Sequence, residues 1–207
     1  MTAININEIC KIFSKINPDP KIELNYNNNF TLLIAVLLSA QTTDKAVNIA
    51  TKELFAKYNS PQKMYYLGIS ELEKYIKRLG LYRTKAKHII NLCQILIEKY
   101  GGEVPNKFDD LVKLPGVGRK TADVVLSTVF NQPRIAVDRH IYRVVHRIGI
   151  TSGKTTDEVA DNLLKIIPAK YLRKAHHWLV LHGRYICKAR KPDCAHCSIA
   201  KYCSYIS

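Results

Sequence analysis

Four cysteines crowd one short stretch: Cys187, Cys194, Cys197 and Cys203, spaced C-x6-C-x2-C-x5-C. Four thiols this close can close a tetrahedral all-sulfur site around zinc or ligate an iron–sulfur cluster, and either outcome dictates the local fold. A disulfide pair is the plainer alternative, and it needs an oxidising compartment. Met1-Thr2-Ala3-Ile4-Asn5 has no basic stretch leading into an apolar one, so no signal peptide is expected and the chain reads as cytoplasmic. Metal binding is the expectation that follows. Spacing does not separate zinc from iron–sulfur. Zinc sites more often show two C-x2-C pairs, and only Cys194 and Cys197 form one here. His196 lies inside that pair and is expected to be a bystander, because four thiolates already fill a site.

The rest of the chain reads as helical. Ile6, Ile9, Cys10, Phe13 and Ile16 mark a helix stopped by Pro18. Phe30 to Ala40, interrupted by Thr31 and Ser39, is too short to cross a bilayer and reads as a buried helix. Asn25 to Asn29 before it is a turn-prone surface loop. Val47, Ala50, Leu54 and Phe55 predict a helix stopped near Asn59-Ser60-Pro61. Leu72, Ile76 and Leu79 predict a short one ended by Gly80. Ala86, Ile89, Ile90, Cys93, Ile97 and Tyr100 predict a longer one ended by Gly101-Gly102. Val159, Leu163, Ile166 and Ile167 predict one stopped by Pro168. No alternating strand-like stretch competes, so the expected fold class is all-α. Cys10 and Cys93 fall on apolar helix faces and read as packing thiols.

Charge narrows the partner. Lys and Arg number 32 against 17 Asp and Glu, a net charge of +15, which favours a polyanion, most often nucleic acid. No amphipathic helix carries a polar face of Lys and Arg alone, so a membrane surface is not expected.

Leu114-Pro115-Gly116-Val117-Gly118-Arg119-Lys120-Thr121-Ala122 gives that charge a site. A short helix, Phe108 to Lys113, runs in, and a second leaves after Gly118 with Ala122, Val125, Leu126 and Val129 on one face. Two glycines around one apolar residue allow a tight turn and bare the backbone N–H groups of a helix start, where the dipole also favours an anion. Val117 is expected to anchor the turn in the core. Gly116, Val117, Gly118 and Arg119 thus read as a phosphate cradle. The alternative is an ordinary helix–helix turn. Lys120 sits in the first turn of the second helix, where the dipole and Arg119 disfavour its positive charge. A lysine so placed can act as a nucleophile or merely contact phosphate, and position alone does not decide. Asp138 precedes a helix bearing Ile141, Val144, Val145 and Ile148. It is a natural N-cap and equally a carboxylate whose charge that helix end favours.

The L-P-G-V-G-R-K-T-A string resembles the helix-hairpin-helix of the base-excision DNA glycosylase superfamily. The cysteine run is similar to that of its endonuclease III branch, which carries a [4Fe–4S] cluster at this spacing. Ala136-Val137-Asp138-Arg139-His140, and Leu181-His182-Gly183-Arg184-Tyr185 leading into Cys187, match further motifs of the branch in the expected order. The resemblance implies a DNA glycosylase with abasic-site lyase activity, with Lys120 as nucleophile and Asp138 as its acidic partner. Its substrates would be oxidised pyrimidines in double-stranded DNA. Cys187, Cys194, Cys197 and Cys203 would hold the cluster.

By the same resemblance Gln41 and Leu81 would enter the duplex where the base was. Without it, Gln41 is an exposed linker residue and Leu81 a loop residue folded on the core. Lys188, Arg190 and Lys191, between the first two cysteines, would offer fixed positive charge to the DNA backbone. The implied architecture is a six-helix domain at 22–132 with the hairpin near 108–130, and a discontinuous cluster domain of 1–21 plus 133–207. The two would flank a cleft, in a monomer. A non-catalytic DNA-binding module with a structural metal is the competing class, and it needs no pairing of Lys120 with Asp138. A sister adenine-mismatch glycosylase would lack the lysine and add a recognition domain beyond Cys203.

Overall fold

Helix starts in this chain are written in Asn, Thr, Ser and Asp, whose side-chain oxygens satisfy N–H groups that a first turn leaves without partners. The computed structural model describes residues 5–206, and every regular element among them is helical. In order they are α1 (Ile6–Ile16), α2 (Asn29–Leu38), α3 (Asp44–Lys57), α4 (Pro61–Ile76), α5 (Tyr82–Tyr100), α6 (Phe108–Leu111), α7 (Arg119–Val129), α8 (Arg139–Ile148), α9 (Thr156–Ile166) and α10 (Ala169–Tyr185). A 3-10 turn, Ala200–Tyr202, follows. Asn5, Asn28, Thr43, Ser60, Asp138 and Thr155 cap α1, α2, α3, α4, α8 and α9. No helix among the described residues is long and apolar enough to cross a membrane.

The chain divides into two compact units. One is Glu23–Phe130. The other joins the N-terminal segment through Ile22 to the residues from Asn131 onward.

In the first unit α2 is buried at every position from Phe30 to Leu38 and packs against α3, α5 and α7. A helix apolar all round is stable only as the centre of a bundle. Asn28 and Thr31 fix its start with a reciprocal capping box, so the Asn-rich stretch read as a simple loop ends in a helix cap. The helix expected around Leu72 and Ile76 is the second half of a longer one. α4 begins at Pro61, capped by Ser60, and turns through Gly68 at φ 74°. Ser60-Pro61 was legible as a stop for α3, but proline at the first helical position is also a start. Leu79 lies beyond α4, and α6 ends at Leu111 rather than at Lys113.

In the second unit Ile9, Cys10 and Phe13 of α1 share a core with Ile141 and Val145 of α8 and Trp178 and Leu179 of α10. Trp178 Nε1 donates to Asn17 O at 2.8 Å and Lys174 Nζ to Pro18 O at 2.7 Å, tying the end of α1 to α10. Gly183 sets how closely α8 and α10 meet: a Cβ there would lie 2.9 Å from His140 Cβ and 3.1 Å from His140 O. The motif Leu181-His182-Gly183-Arg184-Tyr185 is the last turns of α10, a helix the apolar pattern alone did not announce. Cys10 and Cys93 are buried, and burial pushes the Cys10 thiol up to about 12 and Cys93 further in the same direction. They are inert packing thiols.

Candidate functional site

The hairpin between α6 and α7 uses its two glycines differently. Gly116 has φ +77°, and a Cβ there would lie 2.9 Å from His88 Nδ1 and 3.1 Å from Leu37 Cδ1. Fold and close packing both require glycine at that position. Gly118 is the N-cap of α7 in extended backbone, φ −92°, and a Cβ there would meet nothing within 4 Å. The chain's own packing gives no reason for glycine at 118, whereas a ligand approaching the backbone does. No side chain caps α7, so its first N–H groups and the positive end of its dipole address that open space. Val117, 5% exposed, anchors the turn, and its N–H donates to Leu114 O at 3.1 Å.

Lys120 stands exposed in the first turn of α7, next to that space. Arg119 turns along the helix instead: its Nε lies 3.7 Å from Oδ2 of Asp123, a buried carboxylate one turn on. Sequence reasoning passed over Asp123. An acid four residues after an arginine, inside an otherwise apolar helix, is the signal that finds it.

Asp138 caps α8. Its Oδ1 accepts from His140 N at 2.8 Å and from Ile141 N at 2.9 Å, and neither bond uses Oδ2. Capping and chemistry can thus coexist on one carboxylate. His140 is half-buried, and burial lowers its pKa from the ordinary imidazole value.

Gln41 and Leu81 are both exposed, Leu81 at 61%. Both hold left-handed backbones, φ 55° and 58°, at the joints between α2 and α3 and between α4 and α5. The alternative for Leu81, a side chain folded onto the core, is not what the structure shows.

Cys187, Cys194, Cys197 and Cys203 line one cavity with Ile148, Ile186 and Ile199, and none is in a disulfide. Among the described residues no three His, Cys, Asp or Glu side chains gather closely enough to hold a single metal ion. Four thiols lining one largely apolar cavity are the donor set that an iron–sulfur cluster would take. His196 points elsewhere: it is exposed, and its Nδ1 lies 2.9 Å from Asp193 Oδ1. The buried His182, whose pKa burial pushes down to about 4, brings Nε2 to 3.7 Å from Cys197 Sγ.

Lys188, Arg190 and Lys191 are exposed on the loop between the first two cysteines. Arg147 braces that loop from α8, donating to Lys188 O at 2.7 Å and Ala189 O at 3.1 Å. Arg143 donates to Cys187 O at 3.0 Å. Neither arginine was singled out from sequence, since their targets lie some forty residues away.

Residues 34–169 match the model of the HhH-GPD superfamily base excision DNA repair proteins, and residues 187–203 match the iron–sulfur binding domain of endonuclease III. The chain is 59% identical to endonuclease III of Rickettsia conorii (strain ATCC VR-613 / Malish 7), over 99% of this chain and 98% of that one. It is 51% identical to endonuclease III of Escherichia coli (strain K12), over 96% and 94%. A solved endonuclease III–DNA complex trapped as a covalent intermediate superposes with a TM-score of 0.91, at 45% identity over 98% of this chain and 97% of that one. A thermostable thymine-DNA glycosylase superposes with a TM-score of 0.86, at 26% identity over 97% and 94%.

Proposed function

The chain belongs to the HhH-GPD superfamily of base excision DNA repair proteins and, within it, to the endonuclease III family, and we propose that Lys120 is its nucleophile and Asp138 the carboxylate that works with it. The protein is a base-excision DNA glycosylase with abasic-site lyase activity, and its cofactor is a [4Fe–4S] cluster. The substrate is double-stranded DNA bearing an oxidised pyrimidine or an abasic site. The protein acts as a monomer in the cytoplasm. Lys120 belongs to the domain proposed at residues 22–132 and Asp138 to the one formed by 1–21 plus 133–207.

The damaged base is flipped out of the stack, and Gln41 and Leu81 take the space it leaves. Gly116, Val117, Gly118 and Arg119 hold backbone phosphate at the hairpin, with Lys188, Arg190 and Lys191 adding charge from the cluster loop. The Lys120 amine attacks C1′ of the sugar, and the bond from C1′ to the base breaks with its electron pair leaving on the base. Asp138 stabilises the positive charge that grows on the sugar, helps the amine lose its proton, or does both. The sugar ring then opens, the C1′–O4′ bond breaking with its electron pair on O4′, which takes up a proton. The Schiff base so formed at C1′ makes a C2′ proton acidic. Its loss expels the 3′ phosphate by β-elimination, and water then releases Lys120. Cys187, Cys194, Cys197 and Cys203 ligate the cluster, which, when bound, crosslinks the 187–203 loop.

The observation that carries this reading is the placement of Lys120: exposed, one residue into α7 past Arg119, beside the open space over Gly118. Borohydride trapping on a duplex bearing one thymine glycol tests it. Wild type should give a covalent protein–DNA adduct and Lys120→Gln none, while Lys120→Gln still binds the duplex. An adduct from Lys120→Gln would remove Lys120 from the role. No adduct from wild type on either a thymine glycol or an abasic duplex would leave a DNA-binding module.

A further inference from the structure

Lys85 is a lysine in a core position. It is 5% exposed and shares the inner seam of α5 with Ile89, Leu92 and Leu96, all fully buried. Its Nζ donates to Leu38 O at 2.8 Å, to Ala40 O at 2.8 Å and to Thr42 Oγ1 at 3.1 Å. Those partners match the three N–H donors of an ammonium. No carboxylate is among them. The acceptors lie at and just past the C-terminal end of α2, where orphan carbonyls and the helix dipole both favour a cation. Burial lowers the pKa of Lys85 from the ordinary lysine value. Three directed hydrogen bonds are what this side chain supplies in return for its burial.

Leu81 is the N-cap of the same helix, and Lys85 N donates the first backbone bond of α5 to Leu81 O at 3.0 Å. The side chain of Lys85 thus ties the joint that carries Gln41 to the first turn of the helix that Leu81 begins. The joints are neighbours, since a Cβ on Gly80 would lie 3.9 Å from Gln41 O. Gln41 and Leu81 both hold left-handed backbones that non-glycine residues keep only when the surroundings enforce them. No side chain caps the start of α5 where Leu81 sits.

We propose that Lys85 is a positioning residue, which locks residues 38–42 to the start of α5 so that Gln41 and Leu81 enter the duplex as one rigid wedge. The inference rests on the reading of Gln41 and Leu81 as the residues that replace the flipped base. Stacked bases resist entry, and a loop that yields under that resistance moves instead of the base. Misplacing a positioning group by an ångström can cost two orders of magnitude in rate.

Single-turnover base release from two thymine glycol substrates tests this, one fully paired and one with the lesion inside an unpaired bubble. Lys85→Met keeps the length and removes the hydrogen bonds. It should slow release from the paired duplex on the order of tenfold or more and leave the bubble rate close to wild type, because an unpaired base is least costly to extrude. The Gln41→Ala/Leu81→Ala double variant should show the same split, and adding Lys85→Met to it should cost nothing further. Thr42→Val removes one of the three acceptors and should give a weaker form of the split; it carries the test if Lys85→Met does not fold. Equal slowing on both substrates, or no slowing beside an impaired double variant, overturns the role of Lys85 and leaves the wedge standing. A double variant indistinguishable from wild type on both substrates removes the wedge and the inference together.

Discussion

Where a side chain with a structural duty is also proposed to do chemistry, substitution can part the two. Asp138 is the clearest case, because its Oδ1 makes both capping bonds of α8. Asp138→Asn keeps an oxygen on the cap, so unfolding free energy should change by less than ~1 kcal/mol. Single-turnover base release should nonetheless fall about a hundredfold, as the negative charge facing the sugar is lost. A loss of stability and affinity as large as the loss of rate would reduce Asp138 to a cap. The cap was legible in the sequence, since an Asp before an apolar helical pattern reads as one from local spacing alone. Lys85 was not singled out, although the interval to Ile89, Leu92 and Leu96 places it on the buried seam of α5. A lysine in an apolar register marks a buried charge, but its partners lie 43 to 47 residues away.

At the scale of elements, the hairpin glycines separate fold from function. Gly116→Ala forces a left-handed backbone on alanine and drives its Cβ into His88 and Leu37. It should cost about 2–4 kcal/mol in chemical denaturation. Gly118→Ala meets open space in an extended backbone, so it should cost under ~1 kcal/mol while weakening DNA binding severalfold or more. Equal effects of the two on binding, once stability is matched, would argue against phosphate at Gly118. Helix boundaries show the same division. Of the starts written in capping residues, Asp138 was read as a cap, whereas Asn28 was read as part of a loop. The first half of α4 was missed because its turn through Gly68 breaks the apolar period at Met64 and Leu72.

The whole molecule is cationic, at +15, and the basic residues named at the hairpin and on the cluster loop are a small part of that charge. Duplex affinity should fall linearly with salt on logarithmic axes, with a slope of about 0.9 per phosphate neutralised. A slope near zero by fluorescence anisotropy would mean that the charge serves something other than DNA. The sequence by itself determined the chemistry that sits in unbroken strings: four cysteines in one loop, a glycine hairpin followed by lysine, an aspartate at a helix start. Backbone geometry over a few residues is set locally, so local spacing suffices to read it. Tertiary structure alone decided which distant backbones those strings rest on. Arg147 bracing Ala189, Gly183 admitting His140 and Lys85 holding both Leu38 and Ala40 all join elements far apart in the chain. Such contacts follow from how helices pack, and packing is a property of surfaces meeting in space that no residue interval records.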